Sequence, residues 1–312
     1  MGKQVKDFNE GEHINTNLLI SNVVKGTTNS GAPYMSLTLQ DASKAIEAKL
    51  WDVKPEIEKE IENGKVYNFE LEIIKYKNNL QAKVIRVLPI PQNEVNMDEF
   101  VFRSPISTDE LRTIIQDAIR QINNETIARI VNAALNYYSN NVYEYPAASK
   151  IHHNFIGGLA THTSGMIKIA IALCNIYPSI DKDLLLAGVI LHDLGKIEEL
   201  TSPVVTEYSI AGKLLGHISI MDARLLEIGK ELKLEDSEEL LLLRHMILAH
   251  HGEYEFGSPI RPELLEAEIL SQIDNIDAKI NIINKALDEV KVGEFTQKQF
   301  AMDNRVFYKH KK

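Results

Sequence analysis

His192-Asp193, in the run His192-Asp193-Leu194-Gly195-Lys196, follows the apolar segment Leu184 to Leu191. Thirty residues upstream lies His162, in Gly157-Gly158-Leu159-Ala160-Thr161-His162-Thr163. Downstream come His217, the pair His250-His251, and Asp274. Eight of the ten histidines fall between 152 and 251. Imidazole and carboxylate are the donors of a catalytic transition-metal site. His162, His192, Asp193 and Asp274 make one ligand set that leaves positions for water. His217, His250 and His251 make a second set if Asp193 bridges. Two ions ~3.5–4 Å apart stabilise both the attacking and the leaving oxygen of a phosphoryl displacement. Lys196 is a candidate catalytic cation beside them, placed to hold a phosphate oxygen. Taken singly, His217 also reads as a core histidine and His250-His251 as a helix C-terminus. His152-His153 suggest packing or substrate contact, and His245 a structural role.

Helices must position these groups. From Ser107 the apolar residues recur at a period near 3.6: Leu111, Ile114, Ile115, Ala118, Ile119 and Ile122 share a face. Ser107-Thr108-Asp109-Glu110 is a capping box. His162 falls on a predicted helix from Leu159 to Ile176, and Asp274 on one from Glu263 to Asp288. His192 and Asp193 are expected at the end of a buried helix.

The first 90 residues read differently. Ile14 to Lys25, Tyr34 to Gln40, Ala45 to Trp51, Val66 to Tyr76 and Leu80 to Leu88 are predicted strands. Met35, Leu37 and Leu39 alternate against Tyr34, Ser36 and Thr38. Pro55 opens a short helix after the third strand. Five strands with that insertion follow the order of an OB-like barrel. Tyr34, Lys49 and Trp51 stand on its outward face as candidate nucleic-acid contacts, aromatic rings beside a cation. Trp51 reads equally as a cover for the barrel end. The expected fold class is α+β and multidomain: an OB-like β-barrel over 1–90, a linker over 91–106, an all-α domain over 107–290 and a tail over 291–312.

The 312 residues carry 44% apolar and 25% charged residues and a net charge of −10. Residues 1–90 hold 12 basic and 12 acidic side chains, so the excess lies beyond them. That excludes a global basic field for duplex binding. No apolar run approaches the ~20 residues of a membrane helix, so no membrane partner is expected. The single cysteine, Cys174, permits no internal disulfide and suggests a reducing cytoplasm.

The histidine and aspartate pattern resembles the HD-domain metal phosphohydrolases. Gly195-Lys196, His217 and His250-His251 resemble their two-metal branch. An OB-like domain ahead of such a domain is similar to the YhaM family of 3′–5′ exoribonucleases. The resemblance implies a nuclease supported by manganese, with two ions expected and iron, cobalt or magnesium as alternatives. It implies single-stranded RNA as substrate and partner, with single-stranded DNA and homo-oligomerisation left open. The other readings are a nucleotide or cyclic-dinucleotide phosphohydrolase and a non-catalytic nucleic-acid-binding module. After His250-His251 the chain reads Gly-Glu-Tyr-Glu-Phe-Gly-Ser-Pro, not the Gly-Tyr-Pro of one cyclic-dinucleotide branch.

Overall fold

The computed structural model describes residues 3–77, 79–148 and 153–311, which divide into two units, Met1–Arg103 and Ser104–Lys312. His152 lies outside the described residues.

The first unit is a closed barrel of five strands: β1 (His13–Thr27), β2 (Pro33–Gln40), β3 (Ala45–Trp51), β4 (Val66–Tyr76) and β5 (Asn79–Pro89). Their order is β1-β2-β3-β5-β4, with β3 and β5 parallel. β1 serves two neighbours. His13 to Leu19 pair with β4, and Leu19 to Thr27 pair with β2. The register shifts between Ile20 and Asn22, just past the residue where β1 passes from one neighbour to the other. Alternation is the cause of the fold here. Met35, Leu37, Leu39, Ile46, Ala48 and Leu50 all point inward and join Leu18, Ile20, Phe69, Leu71 and Ile73 in one core. α1 (Pro55–Glu60) sits between β3 and β4, with proline in its first turn. This is the OB order of elements.

Residues 91–103, expected as linker, carry two short 3-10 turns and are tied to the barrel. The Gln92 amide donates to the carbonyl of Val66 and accepts from its N–H. Gln40 Nε2 donates to the Phe100 carbonyl at 2.9 Å. Side-chain amides that meet backbone groups leave no pattern in the sequence.

The second unit is helical: α2 (Thr108–Ile119), α3 (Glu125–Tyr138), α4 (Gly158–Ile176), α5 (Lys182–Leu191), α6 (Lys196–Glu199), α7 (Ile210–Leu232), α8 (Glu238–Ala249) and α9 (Leu265–Asp288). Side chains of Ser107, Asn124, Asp181, Ser209 and Ser237 cap the N-termini of α2, α3, α5, α7 and α8. α5 is the centre of the core, buried from Leu184 to Leu191. α4 is long and apolar enough, by length and composition, to cross a membrane. Its glycine, alanine, serine and threonine residues hide that in a search for large apolar side chains. Buried His162, Thr163 and Ser164 on its inner side make it a core helix. The segment beyond α9, expected as a tail, pairs with itself through bridges Phe295–Tyr308 and Gln299–Arg305.

Candidate metal centre

His192 and Asp193 lie on the turn between α5 and α6, not within a helix. The turn solves a geometric problem. Neighbours on a helix diverge by ~100°, whereas here His192 Nε2 comes within 3.3 Å of Asp193 Oδ2. Gly195 allows the turn to press against α7. A Cβ at that position would stand 2.2 Å from the His217 carbonyl oxygen. Gly216 has φ of 72°, a left-handed conformation that kinks α7 immediately before His217.

The structure brings all seven candidate ligands together around Asp193. Its Oδ2 lies 3.3 Å from His192 Nε2 and 3.9 Å from His162 Nε2. Asp274 Oδ1, from α9, lies 3.2 Å from the same His162 nitrogen. Asp193 Oδ1 faces the other side, 3.5 Å from His217 Nε2 and 3.8 Å from His250 Nε2. The rings of His250 and His251 are 4.4 Å apart, and those of His217 and His251 5.2 Å. Among the described residues three groups have spacing compatible with an ion: His162-His192-Asp193 and His217-His250-His251 within the centre, and His153-His162-Asp277 behind it.

Each imidazole is oriented through its far nitrogen. His192 Nδ1 and His250 Nδ1 face the carbonyls of Val189 and Ile247, three residues back, at 2.9 and 2.7 Å. His251 Nδ1 faces the Phe256 carbonyl. A carbonyl only accepts, so these rings carry the proton on Nδ1 and aim an Nε2 lone pair at the centre. His162 Nδ1 is 2.7 Å from Asp277 Oδ2, and His217 Nδ1 is 3.2 Å from Glu199 Oε1. Glu199 also accepts from the His217 backbone N–H. These carboxylates perform the orienting role of outer partners at metal sites. Sequence reading missed both. Asp277 stands three residues after Asp274, one helical turn along, and that spacing is the signal that could have found it.

Four inward atoms, His192 Nε2, His217 Nε2, His250 Nε2 and Asp193 Oδ1, are buried without a hydrogen-bond partner among the described residues. Buried polar atoms are rarely left so. Three lone pairs and a carboxylate oxygen converging on one space are the donor set of a divalent ion, and the residues fit one.

Charge is arranged to match. Burial favours neutral Asp193, but Lys196 and the imidazoles outweigh it and hold the carboxyl well below the usual range. Burial likewise opposes charge on Lys196, whose Nζ lies 2.7 Å from Asp193 Oδ2; the carboxylate outweighs that and keeps the ammonium charged. Burial and neighbouring imidazoles keep His250 neutral, with its pKa well below the ordinary value. His162 resists burial through Asp274 and Asp277, which push it up to about 10. A proton and a cation compete for that nitrogen.

His153 does not face the centre. Its Nε2 lies 2.9 Å from Asp277 Oδ2, so it supports the carboxylate that orients His162. His245 Nε2 accepts from the Glu263 N–H at 3.0 Å and fastens the chain ahead of α9.

On the barrel, Tyr34 pairs with Trp51 and Ser36 with Lys49 across β2 and β3. The two rings are 5.2 Å apart. Lys49 Nζ donates to Ser36 Oγ at 2.7 Å and stands 5.4 Å from the Tyr34 ring centre. Trp51 is 46% exposed. The Tyr34 ring lies over Gly26, where a Cβ would come within 2.7 Å of it. A cleft of about 460 Å³ beside the ring is lined by Gly26, Val53 and the ion pair Lys25–Glu58.

Residues 159–279 match the HD domain family. The matched span contains every histidine and carboxylate of the centre, from His162 to Asp277. Among solved structures, the chain is similar to the second OB-fold domain of replication protein A from Methanococcus maripaludis, at 15% identity. That alignment covers 31% of this chain and 100% of the other, with a TM-score of 0.25. An OB domain from Thermoplasma acidophilum aligns at 11% identity over 34% of this chain and 92% of its own length, also with a TM-score of 0.25.

Proposed function

We propose that this protein is a metal-dependent 3′–5′ exoribonuclease of the cytoplasm, which hydrolyses single-stranded RNA to nucleoside 5′-monophosphates. Single-stranded DNA is the second substrate class to test. The observation that carries the reading is the division of Asp193, one oxygen toward His162 and His192 and the other toward His217 and His250. That is the disposition of a bridging carboxylate. His162, His192, Asp193 and Asp274 would hold one ion, and Asp193, His217, His250 and His251 a second, manganese being the expected metal. When bound, a metal pair lowers the pKa of water and stabilises charge on the attacking and leaving oxygens of a phosphodiester.

The chain's own residues do the remainder. Lys196, charged and held in the centre, neutralises phosphate oxygens as the strand terminus arrives. Asp277 and Glu199 keep His162 and His217 in one tautomer, so that no ring reorganises during the reaction. Tyr34, Trp51 and Lys49 hold unpaired bases and backbone, as stacking platforms beside cations do. Duplex is a poor substrate, because stacking on exposed rings needs unpaired bases.

The test is a 5′-labelled single-stranded RNA with a downstream hairpin, incubated with Mn²⁺ and with EDTA. A ladder that shortens stepwise from the 3′ end, stops near the hairpin and disappears with EDTA is expected. Early internal fragments, or activity confined to free nucleotides or cyclic dinucleotides, would overturn the reading.

A further inference from the structure

The segment after α9 is a basic, aromatic hairpin on an otherwise acidic unit. Residues 104–290 hold 15 Lys and Arg against 27 Asp and Glu, whereas residues 291–312 hold 6 against 2. The hairpin is anchored. Gly293 N–H donates to the Lys309 carbonyl, Lys309 N–H to Glu294, and Thr296 N–H to Phe307, at 2.8 to 2.9 Å. Lys309 Nζ donates to the carbonyls of Leu287 and Val290 and so caps the end of α9. Thr296 and Met302 are buried beneath it.

Its outer side is apolar without cover. Phe300 is 87% exposed and Phe295 62%. Tyr308 is half exposed, and its ring lies 5.1 Å from that of Phe295. Lys298 lies two residues before Phe300, and Arg305 pairs across the hairpin with Gln299. A fold that fixes this hairpin with backbone bonds and still leaves a phenylalanine in water has no internal use for that ring.

We propose that this hairpin is a second contact for single-stranded nucleic acid, in which Phe300 and the Phe295–Tyr308 pair stack on bases and Lys298 and Arg305 meet phosphates. Flat rings beside cations are what sequence-tolerant strand binding requires. A symmetric contact with a second copy would set the same basic surface against itself, and like charge opposes that pairing. The local excess of positive charge also relieves the repulsion that the rest of the unit exerts on a polyanion. The inference rests on the strand-degrading function proposed above and adds to it a grip within the helical unit itself.

The experiment uses the full chain in EDTA, so that nothing is cleaved, and a fluorescein-labelled 12-mer of uridylate followed by anisotropy across a KCl series. Phe300→Ala is expected to weaken binding about fivefold with the salt slope unchanged, as loss of one stacked base does. Lys298→Glu should weaken binding and flatten the slope of log affinity on log salt by about 0.7, one phosphate contact on a single strand. Wild-type affinity and slope in both variants would overturn the proposal. So would a Phe300→Ala protein that sediments as a smaller species with affinity unchanged, which makes the hairpin a contact between copies. If the wild-type chain itself does not bind the oligonucleotide, the exoribonuclease reading fails with it; if it binds and the variants match it, the hairpin alone is excluded.

Discussion

The barrel face and the candidate metal centre are built by opposite means. Tyr34, Lys49 and Trp51 come from two adjacent strands; Trp51 is exposed, Tyr34 and Lys49 are half-buried, and strand register with one bond from Lys49 to Ser36 places them. The centre takes groups from α4, the turn after α5, α7, the end of α8 and α9, and buries all of them but the partly exposed His251 and Asp274. One of its residues, Asp193, touches both halves. A surface platform tolerates loss of a member, because each ring contributes by itself. A buried constellation does not, because each donor constrains the next. The difference predicts a graded response to substitution on the barrel and an all-or-none response in the centre.

The largest effect belongs to Asp193. Replacement by alanine would leave the Lys196 ammonium buried without its partner, at a cost of about 3–5 kcal/mol. Asn is therefore the sharper change, since it keeps an oxygen for Lys196 and removes the charge. Hydrolysis by Asp193→Asn should fall by roughly three orders of magnitude or more, the scale on which members of a catalytic unit act. Its thermal midpoint should stay near that of the wild type. Near wild-type turnover in Mn²⁺ would refute a bridging role. Next in size is deletion of the barrel. A chain beginning at Ser104 keeps the core built on α5 and every group of the centre. It should hydrolyse a small model phosphodiester at the normal rate and degrade a long single strand poorly. Equal processivity on long RNA would show that the barrel does not guide the strand.

The same contrast decides what the sequence disclosed. Alternation over Tyr34 to Gln40 and Ala45 to Trp51 fixes which side chains point inward, so the barrel strands and the outward placement of Tyr34 were legible residue by residue. The helix cap at Ser107 follows the same local logic. The centre was legible only as a set of types and spacings. Nothing local says that Asp193 leaves the helix before it reaches the metal positions, or that Gly216 turns His217 inward. Asp277 escaped because a carboxylate on an amphipathic helix is common, and only the distance to His162 Nδ1 gives it a role. The bonds of Gln92 and Gln40 to distant backbone groups, and the cap that Lys309 places on α9, are long-range and leave no periodic trace.

Asp277 offers a finer cut into the centre than Asp193 does. Burial raises its pKa, but hydrogen bonds from His153 and His162 outweigh it, and the carboxyl lies well below the usual range. Asp277→Asn keeps the size and removes the charge that fixes the His162 tautomer. The ion that His162, His192, Asp193 and Asp274 would hold should bind about 10- to 100-fold more weakly, the range for outer partners of metal ligands. The ion held by His217, His250 and His251 should be unaffected. Calorimetric titration of the metal-free protein with Mn²⁺ resolves the two. Equal weakening of both sites, or of neither, would remove Asp277 from its orienting role.

The smallest effect is expected at Trp51. Its ring lies 5.2 Å from Tyr34 and across the strand pair from it, so one ring remains when the other is removed. Stacking contributes about 1–3 kcal/mol per base, and the surviving Tyr34 with Lys49 above it keeps the loss at the low end. Trp51→Ala should therefore reduce affinity for a single-stranded oligonucleotide about fivefold. Turnover of a small phosphodiester should be unchanged, because no atom of the centre belongs to the barrel. A double variant with Tyr34→Ala should lose more than the sum of the two single losses if the adjacent rings support one base together, and their sum if each holds its own. A Trp51→Ala protein that binds as the wild type but melts at lower temperature would make the ring a cover for the barrel end, and the graded surface platform would not exist.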